Sequence, residues 1–548
     1  MMISRRVALN TLVSGPAPLA LRNQIDLLRP KLPTTFGSAE WATAMDFRRA
    51  GRLVSGTGKN LGPLLGCLTP AEIGGRTILN FFAPGQGHLA SIAPTATGKS
   101  RGQVITNLLW YPGSVVVLDI KGELYERTAG WRQANGHRVI KYAPFERGSA
   151  RWNPLDALND GCGNAANEPR RQENARYLTN LMITPNPQAK DPYWDKAAGS
   201  LMQNLMTFVA TAPLDDTVRE RTMGQVYRLL AEQDPAGFKS VLAAMAKSPE
   251  DWVRQGACTM LHMEAAREQS ASVKTVLLEH MKIWALQRVQ EATAATDFSF
   301  KDLRDATPTT IYLIIPPDEI AEYRVLLRVM IGWCVRALRQ SWSETRDDAR
   351  PPVMLLLDEF PQLHFMEPIQ DSLLFIRSYG VKYWFFAQTL CDLQRHYPDT
   401  WRSFIANCGT SFYGVSDIET AKLVSEMSGT ATVINRTYQA GVNDSHTVSD
   451  SVTSGSGGSS GCGPGGSNSS STYSSGRTFT TGRTVGSSFS TTLAHTGRPL
   501  CMPDEVLRMP FGSLISFSKG MPPMRGQLRF WDEDPELRRR GMMLPPSA

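Results

Sequence analysis

The chain has 548 residues, 42% of them hydrophobic, and a formal charge of +7. Such a length exceeds one core and implies two or three domains, and the hydrophobic share is that of a globular protein rather than a disordered or fibrous one. The modest charge permits nucleic-acid binding without arguing for it.

The eight cysteines are scattered with no Cys-x-x-Cys pair, which argues against zinc and against a disulfide framework and fits a reducing cytoplasm. No run approaches the ~20 apolar residues that span a bilayer. Met1-Met2-Ile3-Ser4-Arg5-Arg6 precedes only a few apolar residues before Ser14-Gly15-Pro16, and reads as a tail rather than a signal peptide. Residues 1–75 are mixed and punctuated by Gly and Pro. Within them Phe36-Gly37-Ser38-Ala39-Glu40-Trp41-Ala42 begins a short helix running through Phe47 and Arg48.

Residues 76–160 read as strand, turn, helix, strand. The apolar run His88–Ile92 leads into Ala93-Pro94-Thr95-Ala96-Thr97-Gly98-Lys99-Ser100, and a helix spans Gly102–Trp110. A strand, a turn ending Gly-Lys-Ser and a helix make a phosphate cradle: backbone N–H groups and the helix N-terminus face the phosphate oxygens. Thr95, Thr97 and Gly98 shape the cradle, Lys99 reaches the β- and γ-phosphates, and Ser100 offers its hydroxyl to Mg²⁺. Ala93 stands where Gly is usual, so the turn must tolerate a Cβ there. A second buried strand, Ser114–Leu118, ends in Asp119-Ile120-Lys121-Gly122-Glu123, whose charges serve either the nucleotide pocket, a subunit contact or a plain surface ion cluster. His137–Tyr142 is a third strand. Alternating strands and helices give an α/β fold with a doubly wound, mostly parallel sheet.

Residues 161–300 change character. Ala197, Ala198, Leu201, Leu205, Phe208 and Val209 recur at helical spacing, with further helices over Met223–Glu232 and Ser272–Ala295, so this is an inserted all-α domain. The sheet resumes in 301–445 with Thr309–Ile315, a long amphipathic helix over Glu319–Ser341, and strands at Val381–Ala387 and Thr410–Val415. Between them Pro352–Leu357 is a continuous apolar run, the mark of a strand buried on both faces. It ends in Asp358-Glu359-Phe360-Pro361, where open α/β sheets bind ligands. Asp358 suits a Mg²⁺ shell, and Glu359 suits the attacking water of a hydrolytic phosphoryl transfer. Gln388 ends the strand Trp384-Phe385-Phe386-Ala387, as either a γ-phosphate sensor or a capping amide. Arg377 lies before that strand, as either an arginine finger for a neighbouring subunit or a surface arginine. His88, His262, His280 and His364 show no metal-like spacing. Residues 446–494 are rich in Ser, Thr and Gly and predict a disordered insertion. Residues 495–532 return to the nucleotide-binding domain with a helix over Asp504–Met509 and a strand over Gly512–Phe517, and 533–548 form a tail.

In order and number, these motifs resemble the TraG-type conjugative coupling proteins of type IV secretion systems. The likeness runs through Gly37–Ala42, the turn at 93–100, Leu118–Leu124, Trp152-Asn153-Pro154-Leu155 and Asp191-Pro192-Tyr193-Trp194. It continues through Leu357–Phe360, Ala387-Gln388, Glu419-Thr420-Ala421, Arg498-Pro499-Leu500 and Pro503–Val506. The resemblance implies a RecA-like P-loop motor ATPase using ATP and Mg²⁺, assembled as a homo-hexamer. Such a ring links DNA held by a relaxase, or effector proteins, to components of the secretion channel. It also implies that the helical insertion recognises substrate. Members usually begin with transmembrane helices and this sequence shows none, so cytoplasmic residence with membrane association through partners is expected. Two other functions fit the motifs: a nucleotide-gated recruitment adaptor, and a soluble DNA translocase or helicase.

Overall fold

A computed structural model describes residues 34–54, 62–69, 78–83, 87–163, 165–183, 193–231, 235–264, 267–345, 350–461 and 468–546. The N-terminal tail and the Asp191-Pro192 half of one motif lie outside the described residues. The chain divides into two compact units, one holding residues 40–428 and 501–546, the other 34–39 and 429–500.

In chain order the strands are β1 (Leu53–Val54), β2 (Leu64–Leu68), β3 (Leu79–Phe82), β4 (His88–Ile92), β5 (Val115–Asp119), β6 (Arg138–Tyr142) and β7 (Thr309–Ile314). They continue with β8 (Val353–Leu357), β9 (Val381–Ala387), β10 (Cys408–Phe412), β11 (Thr430–Gly461), β12 (Asn468–Pro499), β13 (Ser513–Phe517) and β14 (Met524–Gln527). All but β11 and β12 form one sheet in the order β1-β3-β2-β14-β13-β10-β4-β9-β8-β5-β7-β6. From β10 to β6 every neighbour is parallel, and from β10 to β1 every neighbour is antiparallel.

Central strands β8 and β5, the latter as far as Asp119, are continuous apolar runs because both faces are covered. Val116 and Leu118 of β5 and Leu355 and Leu357 of β8 enter one core cluster. Their neighbours Val115, Val117, Met354 and Leu356 enter the other. Of the antiparallel margin, the strand expected over Gly512–Phe517 is β13, whereas β1, β2, β3 and β14 are additions made by the structure. These strands are short, and 40–54 and 62–69 belong with the sheet rather than to a separate N-terminal region. Gly66 is needed there: a Cβ would stand 2.7 Å from the Gln527 carbonyl oxygen of the next strand. The first described helix is Ala44–Arg49, later than Phe36, because Thr43 and Asp46 close a capping box that fixes its start.

Helices fill 154–304 between β6 and β7, starting a few residues before the expected 161. Asn153 accepts the Leu155 N–H at 3.0 Å and Pro154 takes the first helical position, which explains the Trp-Asn-Pro-Leu motif. The helix expected over Ser272–Ala295 is broken. Arg267–Met281 gives way to a 3₁₀ turn, Lys282–Ala285, before Gln287–Ala292. Met281, Ile283 and Trp284 are all buried at this break. Arg171 and Glu250 pair at 2.5 Å inside this bundle. No helix among the described residues is long and apolar enough to cross a membrane.

The second unit departs from the expected disordered insertion. Strands β11 and β12 pair antiparallel in unbroken register from Thr430↔Pro499 to Gly461↔Asn468. No core is buried by this ladder; the Thr- and Val-bearing strands supply β-propensity and the backbone supplies the bonds. Cross-strand ion pairs at Asp450–Arg477 (2.7 Å) and Asp444–Arg483 (2.6 Å) mark the register. Residues 34–39 join its base, with Ala39 N–H donating to the Thr430 carbonyl at 3.0 Å.

Two buried polar groups set the geometry around β5. Asp119 accepts the N–H of Tyr125 at 2.9 Å and of Lys121 at 3.3 Å, tying the end of β5 to helix Glu123–Ala134. Burial nevertheless pushes its carboxyl up to about 7, with the Asp358 charge adding to the rise. From that helix Arg132 reaches the carbonyls of Leu108 (2.8 Å), Tyr111 (3.1 Å) and Gly113 (2.7 Å), which join the helix after the Gly-Lys-Ser turn to β5. Arg132→Leu strands three carbonyls and should cost about 3 kcal/mol or more, read as a lower urea midpoint. The folded Asp119 holds its proton more tightly than the unfolded chain does, so its contribution favours folding at acid pH and is lost as pH rises from about 4 to about 7. Asp119→Asn should therefore gain stability relative to wild type across that window, measured by nucleotide-free unfolding at stepped pH.

Candidate functional site

The turn after β4 departs from the sheet in stages. Ala93 still donates its N–H to the Ala387 carbonyl on β9 at 2.9 Å, so it continues the strand at a negative φ, and its Cβ is accommodated. The turn's left-handed positions are Ala96 (φ 64°) and Gly98 (φ 91°). A Cβ on Gly98 would stand 2.8 Å from the Phe530 ring, so glycine is required by both space and conformation. Thr97 Oγ1 donates to the Pro94 carbonyl at 2.6 Å and closes the loop on itself. The helix then opens with one π-type turn, Ser100–Val104, before Ile105–Leu108.

Beneath that turn lies a buried polar network that the motifs do not announce. Gln103 Oε1 accepts from Ser91 Oγ (2.7 Å) and Tyr413 OH (3.1 Å), and its Nε2 donates to the Leu65 carbonyl (3.2 Å). Ser91 Oγ accepts from Trp384 Nε1 at 3.1 Å. Four strands are thereby fastened to the first turn of the helix. A glutamine four residues after the lysine was the available signal.

The acid pair meets the lysine. Lys99 Nζ stands 3.1 Å from Asp358 Oδ1 and bonds to Glu359 Oε1, although Lys99 and Glu359 lie 260 residues apart. Gln388 Nε2 donates to Glu359 Oε2 at 3.1 Å, and its Oε1 accepts from Thr95 Oγ1 at 3.2 Å. Lys99, Asp358, Glu359, Gln388 and Thr95 thus form one connected group at the carboxyl ends of β4, β8 and β9. Glu359 sits in the left-handed region (φ 54°, ψ 44°), a strained position for a residue with a side chain. Phe360 behind it is fully buried against Phe385, Tyr397 and Phe404, at ring-centroid distances of 4.7, 5.7 and 5.8 Å, which holds the turn in place.

Burial drives the Asp358 carboxyl above the usual carboxylate range; the Lys99 charge opposes this and the Glu359 charge adds to it. For Lys99 burial works downward, but Asp358 and Glu359 together outweigh it and the ammonium ends above its ordinary value. A cavity of about 260 Å³ opens beside the group, lined by Gly98, Lys99, Ser100, Asp119, Lys121 and Glu123 among others. That assigns the charged run after β5 to the pocket. Asp358 Oδ1 is buried and accepts no hydrogen bond of good geometry beyond the Lys99 ion pair. An under-coordinated carboxylate oxygen lining the same cavity as Ser100 offers hard oxygen donors, which suit Mg²⁺.

Arg377 stands elsewhere. It lies in the turn Ile376–Tyr379, which feeds through Gly380 into β9, and the Gly380 carbonyl accepts the Val353 N–H at the start of β8. It is therefore at the amino ends of these strands, roughly 20 Å from Gln388 at about 3.3 Å per strand residue. The rim it occupies belongs to a groove of about 770 Å³ that also includes Arg402 and Lys519 and has no carboxylate in its lining.

Comparison with known proteins agrees with this architecture. The chain is 26% identical over 549 residues to the conjugal transfer protein TraG of Escherichia coli, covering 93% of this chain and 79% of that protein. To the protein VirD4 of Agrobacterium fabrum it is 30% identical over 399 residues, covering 72% of this chain and 56% of that protein. Among solved structures it is similar in fold to the plasmid coupling protein TrwB in complex with ADP and Mg²⁺, with a TM-score of 0.58 at 12% identity, covering 91% of this chain and 96% of that one. The family described as Type IV secretory system Conjugative DNA transfer matches residues 40–456, and the chain belongs to that family, the TraG-type coupling proteins.

Proposed function

We propose that this chain is an ATP-hydrolysing coupling protein that moves DNA, held by a relaxase, or effector proteins toward a type IV secretion channel as a ring of six copies. The observation that carries the reading is the Lys99 ammonium held between Asp358 and Glu359 at the mouth of a glycine-bearing turn. Membership of the conjugative transfer family supports it, as does the ADP and Mg²⁺ in the TrwB structure.

In this reading the turn's N–H groups and Thr95, Thr97 and Gly98 hold the phosphates. Lys99 exchanges its carboxylate partners for the β- and γ-phosphate oxygens and neutralises charge as the terminal phosphoryl group leaves. Ser100 and Asp358 would hold Mg²⁺, which would supply Lewis-acid neutralisation of the phosphate oxygens. Glu359, released from Lys99, orients the attacking water and takes its proton. Gln388 joins Thr95 of the loop to Glu359, so a change at the phosphates alters the hydrogen bonding of the base. Arg377 is too far from its own chain's Lys99 to take part there. The cationic groove around it suits the phosphates of a neighbouring copy, which fits the arginine-finger reading. The helices of 154–304 are the surface offered to cargo.

Purified protein should hydrolyse ATP, with turnover responsive to added DNA. Lys99→Ala should abolish turnover while the circular dichroism spectrum stays that of wild type. Glu359→Gln should bind ATP and lose about 10²–10⁴ in kcat. A wild-type protein that turns over no ATP, with or without DNA, would overturn the reading. Arg377→Ala and Glu359→Gln subunits, each inactive alone, should regain activity when co-assembled, because an intact Glu359 then meets an intact Arg377 from its neighbour. Mixed assemblies as dead as either parent would remove Arg377 from the mechanism.

A further inference from the structure

The cavity beside Lys99 is smaller than a whole nucleotide site. About 260 Å³ falls below the roughly 300–1,000 Å³ of pockets that enclose a drug-sized ligand, so it takes the phosphates and leaves the nucleoside outside. The direction of exit follows from the loop. Lys99 faces the terminal phosphates, and the helix start at Ser100 and Arg101 faces the first one, so the nucleoside emerges on the side of Gly98 and Arg101.

An aromatic stack stands there. Phe530 packs on Gly98, and the Arg101 guanidinium lies 4.4 Å from the Phe530 ring centroid. Arg101 is tethered by Asp532 at 2.6 Å and Glu533 at 2.9 Å, so it braces the ring rather than reaching for phosphate. Phe511 stacks on Phe530 with centroids 5.4 Å apart and planes 14° from parallel. Its Cζ lies 3.5 Å from the β position of Gly98, yet 63% of its surface is exposed. Gly512, at φ 82°, sets the turn that presents it. A large aromatic ring is thus held rigidly at the lip of the phosphate loop with a face left open. Nucleobases stack on such faces, and a preformed platform loses little freedom when they do.

We propose that Phe511 is the platform on which the purine base of the bound nucleotide stacks, with Phe530 and Arg101 as its backing. The inference rests on the Lys99 site being a nucleotide site, and it adds the residue that recognises the base. Tripolyphosphate carries the same phosphates and no base, so it separates the two parts. Wild-type protein should bind ATP more tightly than tripolyphosphate by competition against a fluorescent ATP analogue. Phe511→Ala should raise the KM for ATP about tenfold and leave tripolyphosphate binding unchanged. Its kcat should stay within about twofold, as for loss of a contact made equally in ground and transition states. Phe511→Tyr, which keeps the ring, should behave as wild type. The proposal is overturned if Phe511→Ala keeps the wild-type KM, if ATP and tripolyphosphate weaken together, or if only the oligomeric state changes. A wild-type protein that binds neither ligand would instead fell the nucleotide reading, and this inference with it; Lys99→Ala, expected to lose both ligands, marks that case.

Discussion

One buried cation between two carboxylates organises this molecule. Lys99 comes from the turn after β4, and Asp358 and Glu359 come from the turn after β8. Between them in the sheet lies β9, which ends in Gln388. The three turns can meet only if β4, β9 and β8 are adjacent, parallel and level at their carboxyl ends, and the parallel registers supply that alignment. Removing three charged groups from water is costly, and the mutual attraction of the cluster offsets that cost only while the geometry holds. On the proposed reading a bound nucleotide finds a lysine already positioned, a carboxylate already joined to Gln388 and a second carboxylate oxygen short of partners.

That geometry is maintained from below. The Gln103 network fastens the helix start to β2, β4, β9 and β10, and Arg132 fastens the helix end to β5 and β7 through Gly113 and Thr310. Both are polar devices buried in an apolar sheet, so a partial loss leaves unsatisfied groups rather than a soft repacking. The strain at Glu359 belongs to the same design. An extended backbone would carry its side chain onward from β8, whereas the left-handed turn coincides with a carboxylate that meets both Lys99 and Gln388. Phe360, locked among three aromatic rings, keeps that conformation from relaxing.

The parts legible in the sequence share one property: each candidate site residue follows closely on a buried, largely apolar strand. Lys99, Asp358 and Gln388 follow β4, β8 and β9, and a strand buried on both faces writes itself as an unbroken hydrophobic word. Strands β1, β2, β3 and β14 are two to five residues long, too short to show a period, and the pairing of β14 with β2 joins residues as far apart as Gln527 and Cys67. The break before Trp284 depends on a core that surrounds three nearby side chains, which a local stripe does not encode. The β11–β12 ladder misleads composition for a different reason: Ser- and Gly-rich chain buries no core, and its pairing is a property of two segments together, not of either one. Phe511 went unnoticed because a lone phenylalanine gains meaning only from lying over Phe530 and beside Gly98.

The two ends of the parallel sheet differ in charge, and that difference bears on assembly. The carboxyl ends gather Asp119, Glu123, Asp358 and Glu359 together with Lys99, Arg101 and Lys121 around a phosphate-sized cavity. The amino ends of β4, β9 and β10 border a groove with Arg377, Arg402 and Lys519 and no carboxylate. A surface that repels its own kind and attracts the other end of an identical molecule favours head-to-tail contact over a two-fold pairing of like faces. Head-to-tail contacts close into rings when the rotation per subunit permits, and in the proposed ring Arg377 of one copy would face the phosphates of the next. On that reading a bound nucleotide would add negative charge opposite Arg377 of the next copy, and release of phosphate would withdraw it. On the proposed reading, turnover at one site is therefore felt first by the neighbouring copy, through charge rather than through a change of fold.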